Sequence, residues 1–371
     1  MQVWSKVRVI GNMEKIRVLQ QVLDPSGSGG VSAEYRALQR SSLLRGNYVF
    51  IPMILRTPHR GLSIRDIVFY CREIRKANPD IIHIRGAAMD GLNAEIAARI
   101  CGKGKILVFV HGMYSDLIFI SAVKRWISKN IIERLAFSLA DGISCVCANA
   151  TNRTYFDRWR SKMLPYVYNR MPVFHSLSSE TIHLTRKQFG LNDHDIIGLY
   201  VGRITREKGL EVLLEAFKTM SSSWPNNLKF MIIGEGDYKT CFQADCSMIS
   251  NNIFFLGERL GVDVFYQLAD FFVQPSLHEN HSVSLLEACS AKLPTIATAV
   301  GGNTEIIEDE HTGIIVPPGS SSSLCEAISR MLDDGFRAKL KDGLDHFDYS
   351  KFSDESIDTQ LDVVYKLVLS R

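Results

Sequence analysis

Two glutamates, Glu279 and Glu287, bracket a polar turn in the stretch ENHSVSLLEA. The apolar run before it, DFFVQPS, reads as a strand ending in a proline–serine turn. Ser282 or Ser284 is a good helix N-cap, which sets Glu287 about one turn inside a helix and leaves Glu279 on the preceding loop. Carboxylates accept sugar hydroxyls, and the free N–H groups of a helix start suit phosphate. The helix dipole alone also favours acids in a first turn, so the spacing by itself does not separate a ligand site from a solvated helix start.

Three other places carry residues of the right chemistry. In LYVGRITREKGLEVLLEAF a strand ends at Gly202, and Arg203 and Lys208 lie five apart across the turn that opens a helix. Such a pair can clamp a diphosphate, Arg through paired N–H donors and Lys as a point charge. The strand KILVFV runs directly into His111 and Gly112, which puts an imidazole just past a strand end. The first strand leads into DPSGSGGVSAEY, where Gly27, Gly29 and Gly30 precede a helix starting near Val31. Glycines there let backbone approach an anion closely. Ser32 stands where a dinucleotide fingerprint needs its third glycine, and no Gly-Lys-Ser/Thr follows, so the loop matches neither that fingerprint nor a P-loop.

The elements that must position these residues alternate strand and helix. KIRVLQQVL, YVFIPMI, DIIHI, KILVFV and GISCVC form a first strand series, with helical patterns such as Ser63 to Ala77 and Gly91 to Cys101 between them. After an irregular stretch near residues 170 to 190 a second series follows: DIIGLYVG, LKFMIIGEG, NIFFLG, DFFVQPS, LPTIATAVGG and TGIIVPPG. The expectation is an α/β protein of two doubly wound, Rossmann-like domains, with ligands beyond the carboxyl ends of the strands. The short GSSSS at 319–323 reads as a turn and helix cap.

Composition bounds the rest. The 371 residues, 46% of them apolar, suffice for two cores. No apolar run is long enough to span a bilayer, and Met1 to Asn12 reads as an extension of little structural weight. The eight cysteines form no C-x-x-C pair, which favours reduced, mostly buried thiols over disulfides or zinc. No Asp-x-Asp metal site stands beyond a strand end, so no obligatory metal or other cofactor is expected, and nothing points to nucleic acid. Net charge is +3, but residues 1 to 180 carry 26 Lys/Arg against 13 Asp/Glu, and the rest 17 against 27. Two halves of opposite sign suit two domains with different partners. LSIRDIVFYCREIRKA and LIFISAVKRWISKNIIERLAF read as helices whose apolar stripes, set among Arg, Lys and Trp126, suit either a core or an anionic membrane surface.

Taken together, VGRITREKGLEVLLEAF, IIGEGD, LADFFVQPSLHENHSVSLLEACSAKLPTIATAVGGNTEII and GIIVPPG resemble, in order and spacing, the C-terminal half of the family 4 retaining glycosyltransferases of GT-B fold. The glutamate pair matches that family's E-x7-E motif. The resemblance covers almost all of residues 196 to 332; the N-terminal half is similar more loosely, through KIRVLQQV, NPDIIHIRG, HGMYSD and ADGISCV. It implies an N-terminal acceptor-binding domain over 1–172, a nucleotide-sugar-binding domain over 173–345, and a last helix over 346–371 packing back on the first. It implies that Arg203 and Lys208 hold the donor diphosphate, that Glu279 binds the donor sugar and faces the reaction centre, and that Glu287 binds the ribose. It further implies that His111 contacts the donor sugar from the other domain, that Gly29, Gly30 and Gly202 lie close to the donor, and that the backbone of Ser282, Val283 and Ser284 cradles the diphosphate.

The implied reaction is transfer of a sugar, with retention, from a UDP- or GDP-sugar to a lipid-linked glycan acceptor of polysaccharide, capsule or O-antigen assembly. The implied place is the cytoplasm, peripherally on the inner face of the membrane. Two departures stand out: Asn280, His281 and Ser282 occupy positions where the family often has Gly-Phe-Gly, which bears on the donor sugar, and Arg170 stands where Asn-Gly is common. The rival readings are a non-catalytic glycosyltransferase-like subunit, a sugar-nucleotide epimerase and a dehydrogenase. The absent third glycine weighs against the last.

Overall fold

The computed structural model describes residues 14–22, 30–54, 61–87 and 89–371. Gly27, Gly29 and the extension Met1 to Asn12 lie outside the described residues. Each apolar run forms a strand. The first sheet holds β1 (Ile16–Val22), β2 (Tyr48–Ile54), β3 (Ile81–Arg85), β4 (Lys105–Val110) and β5 (Gly142–Cys145), in the order β2-β1-β3-β4-β5. The second holds β6 (Ile196–Val201), β7 (Leu228–Ile233), β8 (Ile253–Gly257), β9 (Phe271–Gln274), β10 (Thr295–Thr298) and β11 (Gly313–Val316), in the order β11-β10-β9-β6-β7-β8. All pairings in both sheets are parallel. Parallel strands need helical crossovers, so both faces of each sheet are covered and the strands read as continuous apolar runs.

Each sheet has two cores, one per face. One face of the first sheet is closed by the final helix Asp354–Leu369, whose Ile357, Leu361, Val364, Tyr365 and Val368 are buried with Val18, Tyr48, Ile81 and Leu107. The chain therefore crosses between the domains twice. Met171 N–H donates to Phe352 O at 2.9 Å where the two crossings meet.

Two segments differ from the sequence reading. The irregular stretch near 170 to 190 contains a helix, Ser179–Gln188, capped by Ser178 and packed on the helix Asp263–Leu268. LIFISAVKRWISKNIIERLAF is not one helix: Leu117 to Ile120 lie outside any helix, and the helical run starts after the cap Ser121. It is then interrupted by a π-helical turn over Ser128–Ile132 before Glu133–Leu139. The buried Glu133 carboxylate takes Ser128 Oγ at 3.1 Å and the Ser115 N–H at 2.8 Å, so it ties the turn to the preceding loop. Five of the cysteines are buried and all eight are free; Cys241 is exposed.

Candidate functional site

The order of the second sheet reverses direction between β9 and β6, the topological switch point at which loops diverge to leave a crevice. The loop after β6 carries Gly202, Arg203 and Lys208. The loop after β9 carries Glu279 and leads into the helix Val283–Ser290. The fold thus brings together two sequence segments about 75 residues apart, on the side where ligands bind.

The two loops are joined by backbone. Leu277 N–H donates to Glu207 O at 2.9 Å. Gly209, at φ +71°, lies so close to this segment that a Cβ there would sit 1.8 Å from Pro275 O. Only glycine permits both the left-handed conformation and that approach. The result is a direct ion pair between Lys208 Nζ and Glu279 Oε1, both side chains largely shielded. The same Glu279 oxygen accepts from Ser276 Oγ at 3.1 Å and Gln274 Nε2 at 3.3 Å. Oε2 has no hydrogen bond among the described residues. Arg203 is exposed, its guanidinium unpaired among the described residues. Its backbone is fixed by Tyr200 O–H, which donates to Arg203 O at 2.7 Å.

Ser282 is the cap of the helix Val283–Ser290, its Oγ accepting from Leu285 N–H at 3.3 Å. This leaves the N–H groups of Val283 and Ser284 without intrahelical partners. Ser282 Oγ also lies 3.1 Å from Ser284 Oγ and accepts from Gln274 Nε2. Gln274 thereby links Glu279 to the helix start. Glu287, a turn further on, accepts from Tyr266 O–H at 2.8 Å. Burial lifts its carboxyl to about 7, against the smaller opposing effect of that hydrogen bond. Glu279 and Glu287 thus occupy different environments, one ion-paired and the other nearly dry.

His111 comes from the first domain. Its carbonyl accepts from Asn280 Nδ2 at 2.9 Å, which ties it to the residue after Glu279. Its Nε2 lies 3.1 Å from Arg85 Nη1, and its ring is 5.1 Å from that of Phe109. Burial first, and Arg85 second, push its pKa down to about 3, so the ring is neutral. Gly30 opens the helix Gly30–Arg40, as the sequence suggests.

Of the residues that depart from the family pattern, Asn280, His281 and Arg170 serve the domain seam. Asn280 holds His111 through its side chain, and its carbonyl accepts from Cys147 Sγ at 3.1 Å and from Gly302 N–H at 2.6 Å. His281 packs on Tyr168 and Phe352, with ring centroids 5.1 and 5.4 Å away, and its carbonyl accepts from Asn169 Nδ2 at 2.7 Å. Its ring therefore faces the crossing segments. Arg170 is also a seam residue, paired with Glu34 at 3.1 Å, Asp354 at 3.2 Å and Asp358 at 2.5 Å. Glu305 of the second domain accepts from the N–H groups of Ala148 (3.0 Å) and Asn149 (2.7 Å) and from Tyr168 O–H (2.9 Å).

Sequence reasoning missed Gln274, Ser276, Tyr266 and Arg85. Gln274 was visible in principle, as a polar residue closing an otherwise apolar buried strand. The other three depend on contacts across the fold. Among the described residues no cluster of His, Cys, Asp and Glu is arranged to hold a metal.

Residues 182–344 match the family model described as glycosyl transferases group 1. An uncharacterised glycosyltransferase of Methanocaldococcus jannaschii is 32% identical over 189 residues, 50% of this chain and 48% of that protein. The UDP-Gal:alpha-D-GlcNAc-diphosphoundecaprenol alpha-1,3-galactosyltransferase of Escherichia coli is 24% identical over 300 residues, 77% of this chain and 74% of that one. Anabaena HepE, solved in complex with UDP and glucose, has the same fold, with a TM-score of 0.77 at 16% identity over 96% of this chain and 100% of that one. The chain thus spans less than half of the archaeal relative and about three quarters of the E. coli enzyme. The second domain is a glycosyl transferases group 1 domain, and the two facing parallel-sheet domains are a GT-B fold. By class the matched domain is that of a glycosyltransferase.

Proposed function

We propose that the protein transfers a sugar, with retention of anomeric configuration, from a UDP- or GDP-sugar bound at the β6–β9 switch point to a hydroxyl of a lipid-linked glycan. The observation that carries this reading is the convergence of Lys208, Glu279, Arg203 and the free N–H groups of Val283 and Ser284 on one crevice. A diphosphate needs cations and N–H donors, and a sugar needs hydrogen-bond acceptors. Lys208 and Arg203 neutralise the departing diphosphate, and the helix start completes the cradle. Glu279 Oε2 accepts donor-sugar hydroxyls, Glu287 the ribose hydroxyls, and His111 contacts the sugar from the opposite domain. Gly30 and Gly202 let backbone approach the donor. Since no side chain is placed as a covalent nucleophile in this reading, the acceptor attacks on the face from which the diphosphate leaves, and the leaving phosphate takes its proton.

A lipid-linked acceptor is supported by the E. coli relative, whose name places its acceptor on diphosphoundecaprenol. A second support is the surface of the basic first domain, where Ile118, Phe119, Val123, Trp126, Ile131 and Leu135 are exposed beside Lys124, Arg125, Lys129 and Arg134. Apolar side chains among cations suit an anionic bilayer surface. No helix among the described residues is long and apolar enough to cross one.

The test is a transfer assay. A panel of UDP- and GDP-sugars is offered with polyprenyl-diphosphate glycans, and the products are read by NMR. The expected result is release of the nucleoside diphosphate with a product anomer matching the donor. An inverted anomer, or donor turnover without a new glycosidic bond, overturns the proposal.

A further inference from the structure

The side chain of His111 does not stand alone, and its partner is a group that can only donate. Arginine carries N–H donors and no acceptor. The 3.1 Å contact between Arg85 Nη1 and His111 Nε2 therefore requires a lone pair on Nε2. A neutral imidazole with a lone pair on Nε2 carries its proton on Nδ1. Nδ1 has no hydrogen-bond partner among the described residues and is not among the sealed, unpartnered atoms.

Arg85 closes β3 and is itself held in place. Its Nη2 donates to Gln20 Oε1 at 3.2 Å, and its backbone N–H donates to Gln21 Oε1 at 2.9 Å. Gln20 Nε2 donates to Tyr365 O–H at 2.8 Å, and that hydroxyl lies 3.0 Å from His83 Nδ1. These groups are almost wholly buried, and Tyr365 belongs to the final helix. The network thus runs from the helix Asp354–Leu369, through the first sheet, to the crevice. The charged groups around it are Arg85 and, beyond it, Glu34 and Arg170, which pair with each other. Arg85 has no ion pair among the described residues.

We propose that Arg85 is a positioning residue that holds His111 as the neutral Nδ1–H tautomer, so that the ring offers an N–H donor to an oxygen of the bound sugar nucleotide. The catalytic half of this rests on the function proposed above; the tautomer does not. His111 then acts as a hydrogen-bond donor rather than a general base, and the buried guanidinium opposes its protonation through the pH range where histidine ordinarily titrates.

The test uses the full chain labelled with nitrogen-15 histidine, with the His111 resonances assigned by their loss in His111→Gln. The expected wild-type ring is Nδ1–H and does not titrate between about pH 7 and pH 5. Arg85→Met removes the donor without shortening the side chain much. It should let the ring convert to Nε2–H and titrate, and should lower kcat/KM for transfer by about 10-fold, equal to about 1.4 kcal/mol. Arg85→Lys keeps a donor and should retain the Nδ1–H form. A wild-type ring that is Nε2–H, or charged at neutral pH, overturns the proposal. So does an unchanged ring or unchanged kcat/KM in Arg85→Met. If Arg85→Met does not fold, the wild-type spectrum and Arg85→Lys decide. A wild-type chain that shows the Nδ1–H ring but transfers no sugar overturns the functional reading and leaves the tautomer assignment standing.

Discussion

At the level of single residues, the site works by giving similar groups different surroundings. Lys208 and Glu279 neutralise each other in the crevice. In the proposed reading, an entering diphosphate would replace the carboxylate as the partner of Lys208 and free Glu279 for hydroxyls. Lys208→Ala should therefore lower kcat by about 100-fold or more while leaving the far-ultraviolet circular dichroism unchanged, since it removes a preorganised positive charge. Glu287 follows a different rule. Its carboxyl rises from an ordinary 4.5 to about 7 because it is buried. A carboxyl whose pKa is higher in the folded chain than in the unfolded one binds protons more tightly when folded. Its contribution to stability is fully present below about 4.5 and is lost as the pH rises through about 7. Glu287→Gln should flatten that decline, by about 3 kcal/mol across the interval, in denaturant titrations at several pH values. Binding of ribose hydroxyls should strengthen over the same interval in the wild type, as the acceptor becomes ionised.

At the level of elements, the site depends on how two loops meet. The turn Arg206–Lys208 can approach β9 only because Gly209 has no side chain, given a virtual Cβ 1.8 Å from Pro275 O and φ of +71°. Gly209→Ala should cost about 2–4 kcal/mol in thermal or chemical unfolding, through both overpacking and the left-handed backbone. Lys208 itself was legible in the sequence because a cation followed by glycine at a strand end is a local pattern. The strands were legible for the same reason: buried parallel strands are continuous apolar runs. Tyr266 under Glu287 was not legible, since the two residues are 21 positions apart on different helices and meet only through packing. The π-helical turn at Ser128–Ile132 was equally hidden. Its sequence keeps a helical period, and the widening accompanies the Glu133 carboxylate contacts, which no period reveals. Asn280 and His281 gave a sequence signal, a departure from the family pattern, but its meaning lay across the domain seam.

At the level of the whole molecule, the two domains are joined by the two chain crossings that meet at Met171 and Phe352 and by polar contacts across the seam. The final helix is part of the first domain's core even though it follows the second in the chain. Deleting residues 354–371 should therefore expose the apolar residues that pack against Ile357, Leu361, Val364 and Val368. The expected outcome is aggregation, or loss of the first domain's melting transition, in calorimetry. The same anchoring ties the seam to the crossings: Arg170 pairs with Asp354 and Asp358 of the final helix, and Lys351 Nζ donates to Glu305 O at 2.7 Å. The measurement that tests the central claim most directly is ligand-induced stabilisation of the wild type and of Lys208→Ala and Glu287→Ala by UDP- and GDP-sugars. At a donor concentration of about 100 times Kd, the wild type should gain about 2.7 kcal/mol for one nucleotide-sugar series, and the two variants markedly less at the same concentration. Stabilisation of all three proteins to the same extent, or of none by any nucleotide sugar, would contradict a donor site at the β6–β9 switch point.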